Sequence, residues 1–414
     1  MITTPSTCFI ILLLTVLLVV VGARFWFWDW TRRRGWTSSS PPSPSSSPSV
    51  GDVDEKTSLI HHGKAKKGGK EEKRNEDEGR IEVRIEPLKD FDWKTTEPLR
   101  FRPFKEMYHI TMALQASTPS DLILIDSNYL SRIHYRRHIL SKHESEVIGC
   151  LPEGKEAVRE LYSYLLGEYL VGRYPSMFRK TGGNSGTTTT TIFENLVTGA
   201  KFEVVPTPED PLECLRRMAV TVEDDFYVLL PFPAPETEHR AVAFLNLHPS
   251  GFSPASKLSL PLSQIHSPVP SYSKIGPSLE RFFSRLTPNT LTKRVNWSIQ
   301  LHSELYSPSG NHVHEHELGE VEEVEGFGDE EAEEGRLRVE VQSVFALPGG
   351  KGEGVVKVFG FKTYLYSLKE VKGEEMGEVL ARAIEGLREG NAPGMWRYKG
   401  AVRWGRGVTG WLRT

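Results

Sequence analysis

TKRVNWSIQL, residues 292–301, and RLRVEVQSVF, residues 336–345, decide the fold. In the first, Val295, Trp297, Ile299 and Leu301 alternate with Arg294, Asn296, Ser298 and Gln300. In the second, Leu337, Val339 and Val341 alternate with Arg338, Glu340 and Gln342. Side chains on a strand point to opposite faces in turn, so both stretches are predicted strands with one apolar and one polar face. A face carrying Arg, Asn, Glu and Gln either lines a polar pocket or forms the solvent side of an antiparallel sheet. Alternation alone does not separate the two, and the solvent side is the commoner arrangement.

Further strand-like runs lie at 225–232, 240–248 and 355–366. Several late strands follow one another without helices between them, which predicts an antiparallel sheet and an α+β class with flanking helices. Helical spacing is clear over about 155–172, where Ala157, Val158, Leu161, Tyr162, Leu165 and Leu166 recur. Asp210-Pro211 reads as an N-cap followed by proline in the first turn. Pro277 opens a third helix, and Met376 to Leu387 mark a fourth, stopped by Gly390 and Pro393.

Towards the N-terminus the pattern changes. Residues 8–23, CFIILLLTVLLVVVGA, are apolar and are followed by Phe25, Trp26, Phe27, Trp28, Trp30 and Trp36, with Arg32, Arg33 and Arg34 among them. Aromatic and basic flanks of this kind predict a single-pass transmembrane helix over residues 1–36, with the remainder of the chain facing the cytosol. The apolar run is shorter than the roughly 20 residues that span a bilayer, so a cleaved signal peptide is the competing reading. Residues 37–82, Ser/Pro-rich and then charged, form a predicted disordered linker. The folded domain is expected over 84–414. Within it, residues 315–334 hold eleven Asp or Glu and no Lys or Arg, which predicts a solvated acidic loop inserted between two strands.

Several function classes find no support. Cys8, Cys150 and Cys214 are too few for a disulfide framework, and none sits in iron–sulfur spacing. The net charge of −3 hides a mildly basic body, but no basic stripe argues for nucleic acid. Ser271-Tyr-Ser-Lys274 lacks its companion β-lactamase motifs. Gly349 to Gly354 lacks a P-loop ending and reads as a hairpin turn. His312, His314 and His316 alternate beside the acidic stretch, where adventitious metal binding is the expectation. A hydrolase would need a nucleophile constellation that is not there. The segment Leu262-Ser-Gln-Ile-His266-Ser-Pro-Val-Pro270 stands out as stiff, non-helical chain around one histidine. Such an imidazole either ligates iron or is a hydrogen-bonded structural residue.

Taken in order, ten segments resemble one family, the α-subunits of haem-dependent oxidative N-demethylases. They are Asp126 to Arg132 with Arg136 and Arg137; Arg173 to Phe178; Asn195 to Gly199; Glu223-Asp224-Asp225; Pro249 to Phe252 running into Lys257; Ile265-His-Ser-Pro-Val-Pro270; Arg294-Val-Asn-Trp297; Leu337 to Gln342; Leu347-Pro348; and Phe361 to Tyr364. The likeness covers about residues 95–410. It implies a PAS-like antiparallel sheet enclosing haem b, with His266 as iron ligand and Arg294, Asn296 and Arg338 around the haem. Glu340 and Gln342 would be the catalytic pair. It also implies O2-dependent oxidation of a small secondary amine with formaldehyde as a product, and electrons from NADPH through flavin and iron–sulfur centres. No signature for those centres occurs here, so a separate reductase is the implied partner. The family usually carries arginine where this chain has Val341 and Ala346, tryptophan at Phe252 and glutamate at Asp224. Loss of two arginines favours haem binding over turnover. The two functional readings are therefore a membrane-anchored haem oxidase of the demethylase type and a non-catalytic PAS-like haem or small-ligand module.

Overall fold

The computed structural model describes residues 85–185, 188–232, 238–313, 327–347 and 355–414. Among them are ten strands, β1 (Gln115–Ser117), β2 (Ile148–Cys150), β3 (Phe178–Ser185), β4 (Thr188–Asn195), β5 (Lys201–Val205), β6 (Asp225–Pro231), β7 (His239–Leu245), β8 (Leu291–Gln300), β9 (Arg336–Ala346) and β10 (Lys357–Ser367). Seven form one sheet in the order β1-β8-β9-β10-β6-β7-β2, and β3-β4-β5 form a second. The neighbours in both sheets pair antiparallel, as the unbroken run of late strands predicts. The helices are α1 (Tyr129–Val147), α2 (Lys155–Tyr164, extended by a π-helical turn Leu165–Tyr169 to Arg173), α3 (Pro211–Ala219), α4 (Leu262–Ile265), α5 (Gly276–Arg285), α6 (Asp329–Glu334), α7 (Leu368–Gly373), α8 (Gly377–Glu385) and α9 (Ala401–Arg413).

Register makes the polar face. Arg294 pairs with Gln342, Asn296 with Glu340 and Ser298 with Arg338 across β8 and β9. Glu340 then pairs with Thr363, and Gln342 with Phe361, across β9 and β10. Directly paired residues share a face, so these side chains converge. The opposite face carries Trp297, Ile299, Leu337, Val339, Val341, Tyr364 and Tyr366, which pack with α8 and α9 in one core. A larger core joins α1, α2 and α3 to Phe226, Val228 and Val242 and to Phe178 and Phe193 of the second sheet. Each large aliphatic or aromatic side chain so buried contributes roughly 1.5–3 kcal/mol.

The polar face is not a solvent face. A third cluster on that side brings Leu262, Phe283 and Leu286 against Tyr227, Phe244, Val344 and Phe361, with Ile265 and Phe252 beside them. The chain between β7 and β8 is thus the cover over the sheet. Pattern alone said which residues share a face, whereas this long-range packing says what closes it.

Three expectations need correction. Residues 262–270 are not wholly non-helical, because Leu262–Ile265 makes one helical turn ending at His266. Pro261 precedes the turn, where no N–H is needed, and Pro268 removes the donor that would extend it. The end of the acidic stretch is not loop but α6, with Ala332 fully buried. Its acidic first turn suits a helix N-terminus, and the Gly328 N–H donates to Glu331 Oε2 at 2.8 Å. The strong helix over 155–172 is interrupted by its π-turn. The predicted anchor 1–36, the linker 37–82, residues 315–326 and the glycine-rich turn lie outside the described residues. No helix among the described residues is long and apolar enough to cross a membrane.

Candidate functional site

Glu340 stands in the middle of β9, and its neighbours are donors. Gln342 Nε2 donates to Glu340 Oε2 at 2.9 Å, and Asn296 Nδ2 reaches the same oxygen at 3.5 Å. Arg338 Nε lies 3.6 Å from Oε1. These contacts follow from strand geometry. Residues two apart on one strand share a face, as do residues directly opposed on the next.

Arg338 is 1% exposed. Its Nη2 donates to the His248 carbonyl at 2.6 Å, and its Nη1 to the Leu305 carbonyl at 3.2 Å and Gln300 Oε1 at 3.4 Å. Arg294 Nη1 donates to the Met112 carbonyl at 3.3 Å. The Nε of each guanidinium is buried and makes no hydrogen bond. Burial pulls both below the ordinary arginine value, with Tyr108 and Glu340 opposing this at Arg294, and Glu340 and Asp225 at Arg338. Both remain cations at neutral pH.

His266 closes the α4 turn. Its Nδ1 lies 2.8 Å from the Leu262 carbonyl. A carbonyl only accepts, so Nδ1 carries the proton and Nε2 keeps its lone pair. The ring stacks on Tyr272 with centroids 4.8 Å apart. Burial pushes its pKa down to about 4, and the Leu262 hydrogen bond opposes this while the charges of Arg294 and Lys257 assist it. The imidazole is therefore neutral at physiological pH. Arg294, Asn296, Arg338, Glu340 and Gln342 come together directly or through one neighbour, whereas His266, on the cover, makes no hydrogen bond or ion pair with any of them and is influenced only by the charge of Arg294.

Sequence reading missed two neighbours. His248 is fully buried, and neither of its ring nitrogens has a hydrogen-bond partner. Burial, then Arg136, Arg132 and Arg338, hold it neutral. Asn246 and His248 alternate with apolar residues at the end of a predicted strand, and that was the available signal. Lys399 is 3% exposed and donates from Nζ to Asn296 Oδ1 at 3.1 Å and to the Trp297 carbonyl. It follows a single turn, Met395–Tyr398, and no periodicity marked it. Buried Asn246 Oδ1 and Thr363 Oγ1 also lack partners, and Thr363 faces Glu340 across the ladder. Buried polar atoms are nearly always paired, so several open ones on one side of a sheet point to a ligand or ordered water.

The departures at 341 and 346 differ in consequence. Val341 lies in the core on the far side of the sheet, so its exchange takes no cation from the polar face. Ala346 lies in the cluster that covers that face. Cys150 and Cys214 are poor nucleophiles, since burial pushes their thiols up to about 11 and about 12. No group of three or more His, Cys, Asp or Glu among the described residues is arranged to hold a metal ion. His314 and His316 lie outside those residues.

No curated protein matches the chain in sequence. A family profile does, over residues 113–409, and its description is haem-dependent oxidative N-demethylase, alpha subunit-like. That match takes in the large sheet, its cover and the residues around Glu340, and the chain therefore belongs to the haem-dependent oxidative N-demethylase alpha subunit-like family.

Proposed function

We propose that the chain binds haem b on the polar face of the large sheet, with His266 as iron ligand, and holds a small secondary amine against Glu340. One observation carries this. A neutral imidazole with a free Nε2 lone pair is electrostatically coupled to a buried guanidinium with an open N–H, next to a carboxylate already ringed by donors.

The residues present fit a haem. The Leu262 carbonyl fixes the tautomer and the orientation of His266, as backbone acceptors do for metal-bound histidines. Arg294 and Arg338 each have a buried Nε–H that makes no hydrogen bond, though that of Arg338 lies 3.6 Å from Glu340, and guanidinium suits a propionate. Tyr227, Phe244, Phe252 and Phe361 supply an apolar wall. The central strands run β7-β6-β10-β9-β8 with the cover inserted between β7 and β8, an order that supports the PAS-like reading.

Bound haem would supply the redox chemistry, in which an N-methyl amine with O2, two electrons and two protons gives the demethylated amine, formaldehyde and water. The chain's own residues do the rest. A secondary amine is cationic near neutral pH, so Glu340 is its counter-charge. Gln342 and Asn296 hold that carboxylate in place. The aromatic cover keeps water from the face. Electrons would come from a separate NADPH-linked flavin and iron–sulfur reductase. The predicted anchor would hold the domain at the cytosolic side of a membrane, and protease added to sealed microsomes should then digest it. A glycan on Asn296 would contradict that topology.

The test separates amine from cofactor. Glu340→Gln in the full-length chain should take up haem as the wild type does but lose most of its affinity for dimethylamine, the smallest secondary amine. Unchanged amine affinity would place the amine elsewhere. A second reading, a haem or small-ligand module without turnover, draws on Ala346, where the family usually carries a cation. Formaldehyde release from the reduced haem-loaded protein would rule it out.

A further inference from the structure

Lys399 is a buried ammonium without a carboxylate of its own. Its Nζ meets the Asn296 amide oxygen at 3.1 Å and the Trp297 carbonyl, and it lies over the rings of Trp297 at 5.1 Å and Tyr108 at 5.6 Å. Among the described residues no Asp or Glu comes within ion-pair distance of it. The acid that does act on it is Glu340, reached through the Asn296 amide, whose Nδ2 donates to that carboxylate while its Oδ1 accepts from Lys399. Arg338 and Arg294 draw on the same Glu340. One carboxylate therefore faces three buried cations before any ligand arrives.

A cationic amine pairing with Glu340 would add a fourth. Guanidinium groups do not give up a proton under these conditions, but an ammonium does. We propose that Lys399 releases its proton to solvent when a small ammonium ligand pairs with Glu340, so that one buried cation replaces another. The neutral amine left behind still donates N–H to Asn296 and to the Trp297 carbonyl, so the amide stays oriented towards Glu340. This inference rests on the reading of Glu340 as the amine's counter-charge. It makes Lys399 a positioning residue that sets how binding depends on pH.

The surroundings are consistent with that role. Burial lowers the pKa of Lys399 to about 7, opposed by Glu340 and assisted by Arg294. Tyr108 is raised by burial, and Tyr398 to about 12, so both stay neutral through the relevant range. His312 stacks on Tyr398 at 4.5 Å. It needs its own control.

The experiment uses the full-length haem-loaded chain and dimethylamine, which stays protonated throughout. Calorimetry at pH 6 in two buffers of different ionisation enthalpy counts the protons released. The wild type should release close to one proton per amine bound, and its affinity should rise about tenfold per unit up to pH 7 and then level. Lys399→Met should bind amine with no release and a flat pH profile. Lys399→Arg, which keeps its charge, should bind more weakly at pH 8 than the wild type and release nothing. His312→Phe should behave as the wild type. Release that persists in Lys399→Met, or a wild type that releases no proton, overturns the inference. If Glu340→Gln binds amine as well as the wild type, the underlying reading of Glu340 has failed too. If that variant loses binding while the wild type releases no proton, the inference alone is wrong.

Discussion

Two buried lysines border the same sheet, and they live under different rules. Lys362 on β10 gives each of its three protons an acceptor, with Asp126 Oδ2 and the Leu124 carbonyl at 2.8 Å and Glu223 Oε1 at 2.9 Å. Burial alone would lower its pKa, but Glu223 and its neighbours hold it well above the ordinary value. Lys399 finds an amide and a carbonyl instead, and burial wins. A lysine boxed in by carboxylates closes its own chemistry and serves the fold. A lysine that shares a distant carboxylate with two arginines leaves that charge available to a ligand. Nearby Arg136 follows the first rule. It bonds Asp225 at 2.7 Å and the carbonyls of Ala219, Glu223 and Asp224.

The largest expected effect tests this contrast directly. Lys362→Met leaves Asp126 and Glu223 buried without their partner and should cost about 3–5 kcal/mol in chemical denaturation. Lys399→Met removes an ammonium that has two hydrogen bonds but no ion pair and should cost less, about 1–2 kcal/mol. Equal losses would break the comparison.

A pH dependence sharpens it. Asp224 is buried, and its Oδ2 has no partner. Burial raises its pKa from 3.8 to about 7, with Lys362 opposing. A carboxyl whose folded value lies above its unfolded value contributes stability below about pH 4 that is lost as pH rises through 7. Asp224→Asn should therefore be more stable than the wild type by about 4 kcal/mol at pH 8, with the difference closing near pH 4. A constant difference across that range would mean that Asp224 does not titrate there. The smallest effect sets the scale. Asp210 caps α3 by accepting from the Leu212 N–H at 2.9 Å, and Asp210→Ala should lower stability by about 1 kcal/mol, whichever lysine rule holds.

The strands of the large sheet were legible because alternation is local. The predicted 292–301 and 336–345 became Leu291–Gln300 and Arg336–Ala346, and the Asp210-Pro211 start became the cap of α3. Helix α1 was not legible, because the fully buried Arg136 stands on its inner face where an apolar residue would have completed the period. The second sheet hid behind threonines and glycines. At the site, Arg294, Asn296, Arg338, Glu340 and Gln342 were all visible as one polar face. The cover over them and the bridging Lys399 were not, since both come from distant sequence. His266 was singled out by its prolines, and its helical turn was not foreseen.

The central proposal is that the polar face binds haem, with His266 of the cover as its iron ligand. The most direct measurement is a visible-spectrum titration of the full-length chain with haemin, as wild type and as His266→Ala. The wild type should take up about one haem per chain with a shifted Soret band. The variant should lose that band position and most of its occupancy, with an unchanged far-ultraviolet circular dichroism spectrum. An identical spectrum in the variant, or a wild type that takes up no haem, would contradict the claim.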